Sequence, residues 1–387
     1  MQIINHFITK KEIDLFTSDM FFETIQKQFK NKLPFVAYRK PNTLEIKALL
    51  QFNDDIHYVE SYSEVGFVFA PFDDSEKGIL MPLESADKIE TSYFDKAQEK
   101  SKKSIFYLNQ EDKQQHIKLI EKGINSIKNN LFQKVVLSRK ETVSVSEFNL
   151  IDIFKNLLNN YPLAFVYCWY HPKIGLWLGA TPETLMKIEG NQFSMMALAG
   201  TQEYKGTLDV FWEDKEKREQ QIVTDFIIAN LESLVQKLQV SEVETVKAGN
   251  LVHLKTMIKA SLKLETFNLK HILSVLHPTP AVCGMPKVPS KRFILDNEPY
   301  NREFYTGYLG ELNFENKISP KSSKRNIENR AYSITKKSSQ LYVNLRCMQI
   351  KDNKALIYIG GGITEASNSE KEWEETVSKS RVIKNIL

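Results

Sequence analysis

The sequence predicts an α+β fold. Its strand-like runs come in clusters separated by a few long helical patterns, whereas a parallel doubly wound sheet needs strands and helices to alternate. Of 387 residues, 42% are hydrophobic, enough to fill one large core or two closely packed ones. The 52 basic and 48 acidic side chains are interspersed and leave a formal charge of +4. That balance is too small and too mixed to point to nucleic acid or a membrane surface.

Residues 1–100 carry strand-like runs at Phe35-Val36-Ala37-Tyr38 and Val65-Gly66-Phe67-Val68-Phe69 and no recognisable chemistry. From Glu111 to Asn130, isoleucines 117, 120, 124 and 127 fall on one helical face, and the β-branched run Lys134-Val135-Val136-Leu137-Ser138 follows as a strand. Leu163–Tyr170 and Ile174–Leu178 are strand candidates. The Gly190-Asn191 turn joins Thr184–Ile188 to Phe193–Met196 as a hairpin. A long helix is expected over about Val210–Leu238. The chain then closes with strands Leu341–Ile350 and Ala355–Ile359, a glycine turn at Gly360-Gly361-Gly362 and a final helix. Between Asn313 and Gln340 a lysine- and serine-rich stretch without periodicity reads as an exposed loop.

Cys168, Cys283 and Cys347 lie far apart with no metal-ligand spacing, so they read as core residues. No stretch nears the roughly 18 apolar residues a membrane span needs. The opening MQIINHFITKKEIDLF lacks a basic segment followed by an apolar one. The cytoplasm is therefore the expected compartment.

Chemistry is sought where ionisable residues stand among apolar ones, because burying a charge is costly without a partner or ligand. Lys134 opens the strand KVVLS. Turned inward, it would lose hydration and become available as a neutral base; turned outward, it would only extend to water. Glu183 follows Thr181-Pro182 at the end of the apolar run GLWLGA, presented at a strand tip as a catalytic acid or as a helix-capping or solvated carboxylate. Glu219 shares a helical face with Ile222, Val223 and Phe226, which aims it at the core, where it wants a cation. In the final helix Glu372, Glu375 and Lys379 share a face, with Ser369 and Glu372 spaced as a capping box. Surface ion pairing explains that face; so does metal binding, because magnesium commonly takes one or two carboxylates plus water and an anionic substrate. Glu219 with Glu375 is the expected magnesium pair, and Glu372 belongs to the same ligand set. Arg346, within LYVNLRCMQI, suits a forked contact with a carboxylate or an internal ion pair.

From Phe132 onward, FQKVVLSR, GATPETL, ALAGT, EKREQQIV, LVHLKT, LHPTPAVCG, REFYTGYLGEL, YVNLR and GGGITEASNSEKEWEETVSKSR occur in order. In this series the chain resembles the chorismate-utilising enzymes, which include isochorismate, salicylate, anthranilate and aminodeoxychorismate synthases. The resemblance implies two large antiparallel sheets flanked by helices, with the active site in the cleft between them. Residues 1–105 are the weakly matched N-terminal part and 106–387 the chorismate-binding region, read as one intertwined domain.

The resemblance also implies roles. Lys134 stands where isochorismate and salicylate synthases carry the lysine that activates water to attack C2 of the ring, and where anthranilate synthase has glutamine. Ala199 stands where aminodeoxychorismate synthases carry a nucleophilic lysine, so covalent amination is disfavoured. Glu183 becomes the acid that protonates the departing C4 hydroxyl. Gly200, Thr201, His253, Ala281, Arg346, Gly361, Gly362 and Lys379 surround the substrate, with the HPTPA segment beside the ring, and Mg²⁺ sits on Glu219, Glu375 and Glu372. Ala281-Val282 after HPTP favours an isochorismate synthase over a salicylate synthase, which goes on to eliminate pyruvate; an inactive chorismate-binding protein is the third reading. A monomer without a glutamine amidotransferase subunit is expected. The chain departs from the family at Gln202, where arginine is common, and at Gln220, where histidine is frequent.

Overall fold

The computed structural model describes residues 16–94, 110–145, 148–248, 251–263, 265–318 and 334–387. Helix α1 (Ser18–Lys30) is followed by strands β1 (Phe35–Arg39), β2 (Glu45–Gln51), β3 (His57–Tyr58), β4 (Gly66–Ala70), β5 (Ile79–Pro82) and β6 (Ala86–Ser92). Helix α2 (Gln110–Lys128) leads into β7 (Lys134–Ser144). Helix α3 (Leu150–Asn160) leads into β8 (Phe165–His171), β9 (Gly175–Thr181), β10 (Thr184–Glu189) and β11 (Gln192–Glu203). Next come α4 (Asp214–Leu231), β12 (Val235–Val240), β13 (Glu244–Ala248), β14 (Leu251–Leu262), α5 (Leu269–Leu276), β15 (Gly284–Met285) and α6 (Lys287–Asn297). The chain ends with β16 (Tyr308–Ile318), β17 (Ile334–Val343), β18 (Cys347–Lys351), β19 (Lys354–Ile363) and α7 (Ser369–Lys384).

The strands form two antiparallel sheets. One runs β15-β7-β19-β18-β9-β8-β1-β2-β6; the other runs β12-β14-β11-β10-β17-β16-β4-β5-β3, with β13 also paired to β14. The two-residue side-chain period sorts each strand between two cores. Phe165, Tyr167 and Trp169 of β8 meet Phe67 and Phe69 of β4 between the sheets, in an aromatic layer completed by Trp177, Phe304, Tyr342 and Tyr358. Their neighbours Val166 and Cys168 face outward against Phe21, Phe22, Phe154 and Leu157 of α1 and α3. On the other sheet, Phe193, Met195 and Ile258 face Val223, Ile227 and Leu273 of α4 and α5. The result is four layers, helix on sheet on sheet on helix, as the resemblance implied. The first third of the chain supplies outer strands to both sheets.

Local expectations fared unevenly. The isoleucine-striped helix, the strand at Lys134 and the Gly190-Asn191 hairpin all form, the last with Glu189 paired to Gln192. The helix expected to reach Leu238 stops at Leu231, and 235–240 is strand β12, paired with β14. Leu231, Leu234, Val235 and Leu238 suit a helical stripe, but the free edge of β14 takes the segment instead. Where it is described, the expected loop from Asn313 to Gln340 is strand, because β16 and β17 extend as a ladder with Glu315 opposite Lys337; residues 319–333 of it lie outside the described residues. Leu341–Ile350 is not one strand. It breaks at Asn344–Arg346, where Arg346 takes φ 49°, and passes from one sheet to the other. Gly360-Gly361-Gly362 is no turn but part of β19, paired with Ser138, Leu137 and Val136. The last helix is capped by Asn368, whose side chain accepts from the Lys371 N–H, and not by the Ser369–Glu372 box.

Phe69 is wholly buried, its ring stacked 4.3 Å from Phe304 and tilted against Trp169 at 5.0 Å. Phe69→Ala should cost about 3–5 kcal/mol of stability through lost burial and the cavity left behind. Urea titration checks it; a loss under about 1 kcal/mol would mean that the two sheets do not depend on this contact.

Candidate active site

Lys134 is the first residue of β7, set opposite Met285 of β15, and its side chain is wholly buried. A solvated lysine at a strand end is thus ruled out. Its Nζ lies 2.7 Å from Glu219 Oε1 on α4. The glycines of β19 make room for this approach: a Cβ on Gly362 would collide with Glu219 Oε1 and sit 3.1 Å from Lys134 Cε. The preceding residue, Gly361, faces the other way, 3.8 Å by the same construction from Glu372 Oε2 on α7.

A cavity of about 120 Å³ opens beside this strand. Glu183, Gly200, Thr201, Glu219, His253, Ala281, Arg346, Gly361, Gly362, Glu375 and Lys379 all line it. Lys134 lies behind Glu219 and the glycines, and Glu372 stands one layer back, so neither is on the cavity surface. Gly200 and Thr201 are aimed inward by a bulge, where the β11–β14 register slips between Ala199 and Gln202. Gly200 takes φ 71°, and a Cβ there would meet Glu216 Cβ at 3.1 Å, so glycine is required on both counts.

Each expected metal ligand is paired with a lysine: Glu219 with Lys134, Glu375 Oε1 with Lys379 at 2.7 Å, and Glu372 Oε1 with Lys215 of α4. Burial alone would raise the Glu219 carboxyl, but Lys134 chiefly, then Lys215 and Lys379, outweigh it and hold it below its ordinary value. Burial and then repulsion from Glu375 push Glu372 up against the pull of Lys215. Among the described residues no three His, Cys, Asp or Glu side chains converge as a ready cage. The donor set nevertheless suits a hard cation. It is all carboxylate, and Glu372 Oε2 is buried without a hydrogen-bond partner, an acceptor left over in a place where unsatisfied polar atoms are costly.

Elsewhere in the cavity lining, burial raises Glu183 to about 8 even though Lys134 and Arg346 pull it down. Its carboxyl is therefore mostly protonated at neutral pH, and the charges of Lys134 and Arg346 reach it. Burial, then Arg346 and Lys379, lower His253 to about 3, so its ring is neutral. The surrounding bonds select the tautomer: Nδ1–H donates to the Gly200 carbonyl at 3.0 Å, and Nε2 accepts from Arg346 Nη2 at 2.8 Å. Burial lowers Arg346 to about 10, which leaves it charged.

Two sequence expectations need correction. Lys134 is not an unaccompanied amine, because Glu219 is its counter-ion. The HPTPA segment does not lie along the cavity as a whole: Ala281 does, but His277 lines a separate cavity on the other face of the loop.

Several residues of the site went unread in the sequence. Lys215 stands one helical turn before Glu219, a spacing that marks it as a neighbour. Tyr305 and Thr306 line the cavity from within the segment REFYTG. From the same segment Arg302, 2% exposed, binds Glu298 through Nη2 at 2.6 Å and Nε at 2.7 Å, and donates to the carbonyls of Val136 at 2.7 Å and Val282 at 3.0 Å. It thereby ties β7 to the loop after α5.

A family pattern described as chorismate binding enzyme matches residues 57–318, and a second of the same description matches 332–385. The isochorismate synthase DhbC of Bacillus subtilis is 25% identical over 281 residues, 68% of this chain and 65% of that protein. The isochorismate synthase EntC of Escherichia coli K12 is 26% identical over 266 residues, 66% of this chain and 62% of that protein. The chain thus spans just under two thirds of the length of these curated relatives. The structure of MenF, the menaquinone-specific isochorismate synthase from Escherichia coli, superposes with a TM-score of 0.70 at 21% identity, covering 92% of this chain and 88% of that one; it shows the shared fold. Among the described residues no helix is long and apolar enough to cross a membrane.

The raised Glu183 carboxyl makes stability depend on pH. Below about 4.5 the group is protonated in both folded and unfolded chains and contributes no difference; between about 4.5 and 8 only the folded chain keeps the proton, so stability falls as pH rises. Glu183→Gln removes this term. Its melting temperature relative to the parent should therefore be lowest near pH 4.5 and climb toward pH 8, and a pH-independent difference would contradict the buried, protonated carboxyl.

Proposed function

The chain belongs to the chorismate-binding enzyme family, and from that premise we propose that it is an isochorismate synthase, an isomerase that adds water at C2 of chorismate and expels the C4 hydroxyl. The observation that carries this reading is the buried, protonated Glu183, with Lys134 close enough to act on it electrostatically. Hydroxide is a poor leaving group and water a poor nucleophile near neutral pH. A proton donor on one side of the ring and an acceptor on the other lower both barriers.

Glu183 holds its proton in the ground state and gives it to the C4 oxygen as that bond breaks. Lys134 takes a proton from the attacking water. Magnesium held by Glu219, Glu375 and Glu372 would supply positive charge to the substrate's ring carboxylate. Arg346, oriented by the neutral His253, presents N–H donors to a carboxylate, and Thr201 and the bulged Gly200 offer further polar contacts. The apolar Ala281-Val282 pair beside the cavity supports isochorismate as the released product, as against salicylate with pyruvate.

Lys134→Ala and Glu183→Gln should each lower kcat by about 10²-fold or more, with KM changed only a few-fold, since each removes one proton transfer. Steady-state kinetics with chromatographic product analysis reads both; near-parental turnover in either variant would refute its role, and salicylate plus pyruvate as products would replace the proposed reaction. Glu375→Gln should move the magnesium dependence of activity to higher concentrations. An unchanged titration would remove Glu375 from the ligand set.

A further inference from the structure

Two residues before α4, between the exposed Phe211 and Glu213, the chain buries an indole: Trp212 is 7% exposed. A buried tryptophan needs a partner for its N–H, and here Nε1–H donates to Thr245 Oγ1 of β13 at 2.9 Å. The ring packs with Val252 and Leu254 of β14. These residues flank His253, and the two-residue period of a strand turns them away from the side on which His253 lines the catalytic cavity. Trp212 therefore lies behind the strand that carries His253.

The same ring backs the bulge of β11. A Cβ built on Gly200 would lie 3.5 Å from Trp212 Cζ3, which is van der Waals distance, so the indole stands against the backbone whose carbonyl accepts from His253 Nδ1–H. Gln202, at the far side of the bulge, donates from Nε2 to the Phe211 carbonyl at 2.8 Å and holds the residue next to Trp212. Trp212 is not on the cavity surface, but what it supports is. Gly200 and His253 bond one another, and His253 Nε2 accepts from Arg346 Nη2 at 2.8 Å. A continuous path of contacts runs from the indole to the guanidinium.

We propose that Trp212 is a positioning residue: by backing both Gly200 and the His253 strand, it fixes the direction in which Arg346 presents its N–H donors to a substrate carboxylate. The proposal rests on the reaction proposed above. It places the effect in binding and not in proton transfer, because Lys134 opens β7 and Glu183 lies between β9 and β10, outside this path. Trp212→Leu keeps an apolar side chain and loses both the ring and its N–H. In steady-state kinetics with chorismate it should raise KM about tenfold and leave kcat within about threefold of the parent, as a displacement below about 1 Å in a binding group implies. Trp212→Phe, which keeps a ring against Gly200, should return KM to within about threefold of the parent. The deciding comparison repeats Trp212→Leu beside Arg346→Lys, which keeps the charge and loses the forked donors. All four combinations are made in Glu183→Gln protein, which binds without turnover, and chorismate affinity is read by calorimetry. Trp212→Leu should weaken binding about tenfold with Arg346 present and hardly at all with lysine there, whereas a residue that only stabilises the fold would act equally in both. If Trp212→Leu does not fold by circular dichroism, Thr245→Val, which removes only the indole's acceptor, takes its place in the same comparison with an expected effect of about threefold. An unchanged KM, a loss confined to kcat, or equal losses of affinity with and without Arg346 would each overturn the proposal and leave the reaction standing; a parent chain that does not convert chorismate would overturn both.

Discussion

The buried contact between Lys134 and Glu219 joins the two halves of the molecule. Lys134 belongs to the first sheet and Glu219 to the helix that covers the second, so their 2.7 Å approach spans the cleft. Two charges taken out of water cost several kcal/mol each before their attraction is counted, so such a pair is poorly explained as a device for stability alone. It holds a buried cation and a carboxylate together at the edge of the cavity. The glycines of β19 are a condition of this arrangement, because any side chain at Gly362 would occupy the space that Glu219 needs.

The remaining charges follow from that contact. Glu372 and Glu375 add negative charge beside Glu219, and Lys215 and Lys379 pair with them. Glu183 escapes this balance. It is buried, and it stays neutral by keeping its proton. His253 solves the same problem by losing one, and its two nitrogens then serve different partners, the Gly200 carbonyl and Arg346. A neutral acid, a neutral imidazole and the charged Arg346 line one cavity of about 120 Å³.

The frame that holds these groups is made of ordinary packing. An aromatic layer between the sheets sets their separation, and outward-facing aliphatic residues seat the helices. Arg302 is the exception, a buried cation used to fasten backbone: with Glu298 it binds β7 at Val136 and Ser138 and the following loop at Val282. The strand that carries Lys134 and the Ala281 loop are thereby fixed to one another through two hydrogen-bonded steps.

What the chain's order of residues determined by itself was local and chemical. The isoleucine stripe of α2, the apolar run after Lys134 and the Gly190-Asn191 turn were legible because they depend on period and turn chemistry within a few residues. The acids and bases were legible because charge among apolar neighbours is anomalous wherever it occurs. What only tertiary structure decided depended on partners distant in sequence. Residues 235–240 became a strand because β14 offered an edge, and the glycine triplet became a strand because β7 lay beside it. Gly200 and Thr201 face the site through a register slip that no residue pattern announces, and Lys134 found Glu219 as its counter-ion across a gap of 85 positions, as their numbers show. Proximity in space is created by folding, so pairing, register and the charge state of a buried group cannot be read from one dimension.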